Sequence, residues 1–160
     1  MNDILNIILQ NTYTQTQLKH RVRTLKAYLE KALFTTDRNL KDASQSDLNW
    51  LNSLPDTFYK NFNRENIYQI FTKIEPEIEK LPTLTLYLAF EPNEQAISYL
   101  GPMVRKIFED PTLLTSIKVD PSLIAGCGLS FNGMYKDYSL RAKIEEKKEQ
   151  IMENFKQFLR

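Results

Sequence analysis

The sequence predicts an α+β fold: a shortened N-terminal helical bundle, then a small mixed α/β domain with a β-hairpin and a C-terminal helix. Three observations carry this. Apolar residues recur at three- and four-residue steps as far as residue 81. At Pro82 the period changes to strict alternation, in "TLTLYLAF". Asn132-Gly133 then stands between two short runs of strand character. The change of period sets the expected boundary, with a helical domain at 1–81 and an α/β domain at 82–160.

A short helix is expected at Asp3–Leu9. Its apolar run is too short to span a membrane. Neither a basic leader nor a small-residue cleavage site accompanies it, so no signal peptide is expected. A longer helix is expected from Gln15 to Phe34, with Leu18, Val22, Leu25, Leu29 and Leu33 in one stripe. Its other face carries Lys19, Arg21, Arg23, Lys26 and Lys31. That face is either solvated or docks an acidic partner, with Lys19, Arg23 and Lys26 as the candidate contacts. Thr35 to Asp47 reads as a loop. Ser46 or Asp47 is expected to cap a helix bearing Leu48, Trp50, Leu51 and Leu54, which Pro55 ends or kinks. Asn63 is expected to cap the next helix, with Ile67, Ile70, Phe71 and Ile74 inward and Pro76 bending or shortening it. Trp50, Phe58, Tyr59, Phe62, Tyr68 and Phe71 read as packing between helices. They lack the basic field that a base-stacking platform needs.

Past Pro82, Leu84, Leu86, Leu88 and Phe90 mark one face of a half-buried strand. Pro92-Asn93 opens a helix with Ile97, Leu100, Val104, Ile107 and Phe108 on one stripe, and Gly101-Pro102 predicts a kink or break. Leu113, Thr115, Ile117 and Val119 line one side of a second strand. Ile124–Phe131 and Met134–Asp137 form the hairpin around Asn132 and Gly133, with Gly126 and Gly128 on one face of the first strand. Asp137 or Ser139 caps a final helix from Leu140 to Leu159. Its apolar positions are Ile144, Ile151, Met152, Phe155, Phe158 and Leu159. This stripe is expected to pack on the sheet or to reach a partner helix, with Ile151, Phe155 and Phe158 as candidate contacts.

Several function classes are set aside on composition. The 21 basic and 20 acidic residues leave a net charge of +1, against a dedicated nucleic-acid binder. Cys127 is the single cysteine, which suits a reducing compartment, and it reads as a small buried hydrophobe. His20 is the single histidine, so zinc and catalytic-dyad readings start poorly. The glycines raise the question of phosphate binding. A dinucleotide fingerprint from Gly126 and Gly128 fails at Phe131, where its third glycine belongs. A P-loop from Gly128 to Gly133 fails at Met134 and Tyr135, where its Lys and Ser/Thr belong. Glu75 and Glu79 stand at helical spacing and read as a solvated face. No catalytic residue, metal or cofactor is expected.

The segment "VDPSLIAGCGLSFNGMYKDYSLRAKIEE" resembles the C-terminal signature of the delta (OSCP) subunit family of F-type ATP synthases. That pattern runs roughly Val-Asp-Pro-x-Leu-Ile-Gly-Gly, a hairpin, then Asp-Gly-Ser-Ile-Arg-x-x-Leu. Val119, Asp120, Pro121, Leu123, Ile124 and Gly126 match its first half. Asp137, Ser139 and Arg141 match its second, with Leu140 and Ile144 in apolar places. Ala125 and Tyr138 stand where the pattern has glycine. The resemblance covers about the last half of the chain, including the strand–helix–strand order of residues 83–119. The family's helical domain is longer than residues 1–81, so the one here is read as shortened.

The resemblance implies a non-catalytic peripheral-stalk subunit. It would link the catalytic head, through the alpha subunits, to the b subunits of the stalk and resist the rotor's torque. It would meet the membrane only through the complex, on the cytoplasmic side of a bacterial plasma membrane. Asp120, Pro121, Ile124 and Gly126 would shape the hairpin's entry, and Asp137, Ser139 and Arg141 its exit. One rival is the E-type stalk subunit of archaeal or vacuolar ATPases, which also ends in a mixed domain. That family begins with one long charged helix, which Pro55, Pro76 and Pro82 interrupt here. A small α/β nucleic-acid-binding domain is the rival from another class. Tight binding that weakens steeply with salt would favour it.

Overall fold

The computed structural model describes residues 2–35 and 43–158. The fold is α+β, with helices first and a four-stranded mixed sheet after them. The greater part of the loop expected over Thr35–Asp47, and Leu159 of the expected last helix, lie outside the described residues.

The first helix, α1, is Asn2–Leu9, and α2 is Gln15–Phe34. Thr14 caps α2, its hydroxyl accepting from the Gln17 N–H at 3.1 Å. The stripe Leu18, Val22, Leu25 and Leu29 is buried as its spacing requires. Next comes α3, Gln45–Ser53, which starts earlier than Ser46 or Asp47 would allow as caps. Ser44 is the cap and Asp47 completes a capping box with it. A single turn, α4, follows at Asp56–Tyr59. It is too short to leave a period in the sequence. The Asn63 carboxamide accepts from the Glu65 and Asn66 N–H groups and sets up a lead-in turn. The helix proper, α5, is Ile67–Glu79. Pro76 does not end it.

These helices share one core with Ile8, Leu18, Leu25, Phe58, Ile67, Phe71 and Ile74 at its centre. Phe62 joins the rings of Phe58 and Phe71, at 5.3 and 6.1 Å between centroids. Tyr68 differs from its expected core role. It is half exposed and stacks on Phe34 at the surface.

The sheet has the order β2-β1-β3-β4. Strand β1, Thr83–Leu88, pairs in parallel with β2, Leu114–Val119. Between them runs α6, Glu94–Ile107, capped by Asn93. Strand β3, Cys127–Phe131, is antiparallel to β1 and joins β4, Met134–Asp137, through the hairpin. Leu84, Leu86 and Leu88 are buried, as alternation requires. Phe90 lies beyond the strand and is exposed. Val104, Leu113, Phe108, Leu129 and Phe131 pack with Leu84 as a second core. Leu114, the next residue after Leu113, turns to the other side and lies in the helical core.

Helix α6 is not broken at Gly101-Pro102. Pro102, like Pro76, sits on the exposed side of its helix. Gly101 serves packing instead: a Cβ there would lie 2.2 Å from Cγ of Tyr13. Ile107 leaves the inward stripe of α6 and is exposed. It stands at helical spacing from Leu100 and Val104, but it is the last residue of the helix.

Candidate functional site

The residues from Asp120 to Gly126 and from Asp137 to Arg141 meet at one end of the sheet. Pro121–Leu123 is a 3-10 turn whose N-cap is Asp120. The Asp120 carboxylate accepts from the Ser122 N–H at 3.0 Å, and its own N–H donates to the Leu88 carbonyl at 2.7 Å. Pro121 fits at the turn's start because that position needs no N–H donor. Leu123 is fully buried beneath the turn.

Ile124 then has φ 66° and ψ −54°, and Ala125 N–H donates to the Leu123 carbonyl at 2.8 Å. This is a γ-turn of the less common hand, centred on a β-branched residue. Gly126 follows at φ 84°. A Cβ there would lie 2.5 Å from the Tyr138 carbonyl oxygen. So Gly126 is not a strand residue sharing a face with Gly128. It is a left-handed bend that lets the hairpin's exit cross close by. Only Gly128 lies in β3, buried beneath the ring of Tyr135, whose hydroxyl would be 2.6 Å from an added Cβ. Tyr135 also meets Tyr87 edge-on at 5.9 Å. Asn132 and Gly133 both have positive φ, 50° and 76°, as a type I′ turn requires.

At the exit, the Asp137 carboxylate accepts from the Ser139 N–H at 2.8 Å. Ser139, fully buried, is the cap of α7, Leu140–Glu146, and accepts from the Ala142 N–H at 3.1 Å. Asp137 braces that cap but is not the cap itself. Two backbone bonds close the seam, from Tyr138 N–H to Cys127 and from Leu140 N–H to Ala125. Arg141 spans it, donating to the Ser122 hydroxyl at 2.8 Å and to Asp137 at 3.4 Å. Hydrogen bonds from Ser122 and from Ser139 hold Asp120 and Asp137 below the usual carboxylate range. Ser122 is the member of this clasp that sequence reasoning passed over. Positions 125 and 138 do not have positive φ, so Ala125 and Tyr138 fit where the signature has glycine.

The C-terminal helix differs from the single rod expected. It divides at Lys147, with α8 running Lys148–Phe158. Its stripe does not pack on the sheet: Ile151, Met152 and Phe155 are 40, 53 and 64% exposed, and Ile144 is 43% exposed. Phe158 is the last residue of α8.

The basic face of α2 is less free than its composition suggested. Lys19 pairs with Glu79 at 2.8 Å and Lys26 reaches Glu75 at 4.0 Å, so this carboxylate pair meets α2 across a groove. Arg21 lies over the Trp50 ring at 5.0 Å and donates to the Thr12 hydroxyl at 2.8 Å. Burial lowers its pKa, with Asp47 and Tyr13 opposing that shift. Arg23 lines the same groove as Lys19 and Lys26.

No helix among the described residues is long and apolar enough to cross a membrane. The family model for the ATP synthase delta (OSCP) subunit matches residues 16–151. The ATP synthase subunit delta of Lactobacillus johnsonii (strain CNCM I-12250 / La1 / NCC 533) is 27% identical over 88 residues, which is 55% of this chain and 48% of that protein. The chain thus spans about half the length of this curated relative. The family match covers the bundle from the start of α2, the helical core apart from its α1 residues, the second core, the hairpin clasp and part of α8. On that match, the chain belongs to the ATP synthase delta (OSCP) subunit family.

Proposed function

We propose that this protein is a non-catalytic stator subunit of a rotary F-type ATP synthase. It links the catalytic head to the peripheral stalk and resists the torque of the rotor. Helical residues 1–81 form the head-facing domain, which meets the alpha subunits through the α2 face bearing Lys19, Arg23 and Lys26. Residues 82–160 form the stalk-facing domain, which meets the b subunits through Ile151, Phe155 and Phe158. The protein reaches the membrane only through the complex, on the cytoplasmic side of a bacterial plasma membrane.

The observation that carries this reading is the exposed stripe of α8, held beside the family's signature clasp. An amphipathic helix whose apolar side meets no core is suited to a partner helix. The family resemblance implies the b subunits of the stalk at this end of the protein, which makes them the fitting partner. The clasp residues Asp120, Pro121, Ile124, Gly126, Asp137, Ser139 and Arg141 have a positioning role. They set where α7 leaves the sheet, and so where α8 is presented. Capture of the tagged full chain from native membranes, with mass spectrometry of what accompanies it, tests the proposal. Recovery of alpha and b subunits supports it, and their absence overturns it.

A further inference from the structure

The helical residues and the sheet meet at a joint built around Arg105. This residue lies on α6, yet its guanidinium donates to carbonyls on both sides of the junction. Nη1 reaches Leu9, the last residue of α1, at 2.8 Å. Nη2 reaches Thr12 in the α1–α2 connection at 2.7 Å. Nε reaches Leu113, at the entry to β2, at 3.0 Å. The same cation lies 5.0 Å from the centre of the Tyr13 ring. A planar fork of fixed donors suits three carbonyls in different directions in a way that an ammonium does not.

The surroundings leave the joint little freedom. Thr115 N–H donates to the Tyr13 carbonyl at 2.8 Å, and Thr14 bridges Thr115 in parallel, extending the sheet by one rung. The Tyr13 ring occupies the space that a side chain at position 101 would take. Leu114 of β2 is fully buried in the helical core. The covalent crossing lies elsewhere, at Leu81-Pro82, where Leu81 packs on the helical core and the Pro82 carbonyl accepts from Leu114 N–H at 2.9 Å. One covalent crossing alone permits rotation about it. A second attachment, nearly 100 residues apart along the chain, as Leu9 is from Arg105, removes that rotation.

We propose that Arg105 is a positioning residue that locks the helical part and the sheet into one rigid body, with no hinge at residue 82. The joint stands on this geometry alone. Its use, to carry force from head to stalk without internal give, rests on the stator reading above.

The test is solution NMR on the full chain, wild type beside Arg105→Gln and Arg105→Lys. Residual dipolar couplings of α2, α5, β1 and β3 are expected to fit one alignment tensor in the wild type and two in Arg105→Gln. The Thr115 amide, which depends on the joint, is expected to exchange about tenfold faster in Arg105→Gln while β1 amides keep their protection. Arg105→Lys, which keeps the charge but loses the fork, is expected to fall between them. Two tensors in the wild type would overturn the joint. So would one tensor with unchanged Thr115 exchange in Arg105→Gln, or equal loss of protection throughout the sheet in both variants. Recovery of alpha and b subunits is a separate readout. Its failure with the wild-type chain sinks the stator reading and leaves the joint standing.

Discussion

The ring of Tyr13 packs against the bare backbone of Gly101, with no room between them for a methyl group. Gly101 therefore brings α6 close enough for Arg105, one turn further on, to reach the end of α1. Gly101→Ala should force the ring aside and cost about 1–3 kcal/mol, despite alanine's better helix propensity. Denaturant unfolding of the two proteins measures it. A neutral or stabilising change would show that the Tyr13 contact is not tight.

The glycines of the hairpin should differ in sensitivity. Gly133 has positive φ but open space around its Cβ position. Gly133→Ala should cost about 1 kcal/mol, from the left-handed backbone alone. Gly126 has positive φ and the Tyr138 carbonyl in the way. Gly126→Ala should cost about 2–4 kcal/mol, from strain and overlap together. Equal losses on thermal unfolding would contradict this ordering.

The clasp should be acid-sensitive. Asp120 and Asp137 are depressed by hydrogen bonds from Ser122 and Ser139. A carboxylate with a lowered folded pKa contributes stability that is fully present above its unfolded pKa. That stability is lost as pH falls through the folded value. The Ser122 and Ser139 amide resonances should therefore titrate with midpoints below about 3.9, the ordinary aspartate value. Midpoints at or above it would mean that these bonds do not persist in solution.

An alkaline counterpart lies in the helical core. Burial, then Tyr28 and Asp56, push Tyr59 up to about 12, and its hydroxyl donates to the Leu51 carbonyl at 2.6 Å. Its neutral form is favoured by the fold, so its contribution is complete below about pH 10. It is lost as pH rises towards the folded value. Tyrosinate absorbance should show a late step in the wild type that Tyr59→Phe lacks. Tyr59→Phe should also cost about 1 kcal/mol at neutral pH. An unchanged titration curve would contradict the half-buried, hydrogen-bonded phenol.

Much of this architecture was legible because burial leaves a period. Leu18, Val22, Leu25 and Leu29 revealed α2, and Leu84, Leu86 and Leu88 revealed β1. Asn132-Gly133 marked the hairpin because few other pairs accept positive φ twice. The clasp was legible through its signature, yet its geometry was not. Nothing in an isoleucine announces φ 66°, so the sequence alone suggests a strand through Gly126, where the chain completes a bend begun at Ile124. The Arg105 joint left no mark either. Its targets are backbone carbonyls, which every residue has, and a basic residue in the last turn of a helix reads as solvated. The break at Lys147 has no glycine or proline to signal it.

The central claim is that the exposed side of α8 carries a stalk partner. Its most direct test is capture of the tagged full chain from native membranes beside an Ile151→Asp/Phe155→Asp variant. Both positions are exposed, so the variant should keep its fold and its circular-dichroism spectrum. The account predicts that the wild type brings down alpha and b subunits, while the variant keeps alpha and loses b. Capture of neither subunit by the wild-type chain, or of b equally by both proteins, would contradict it.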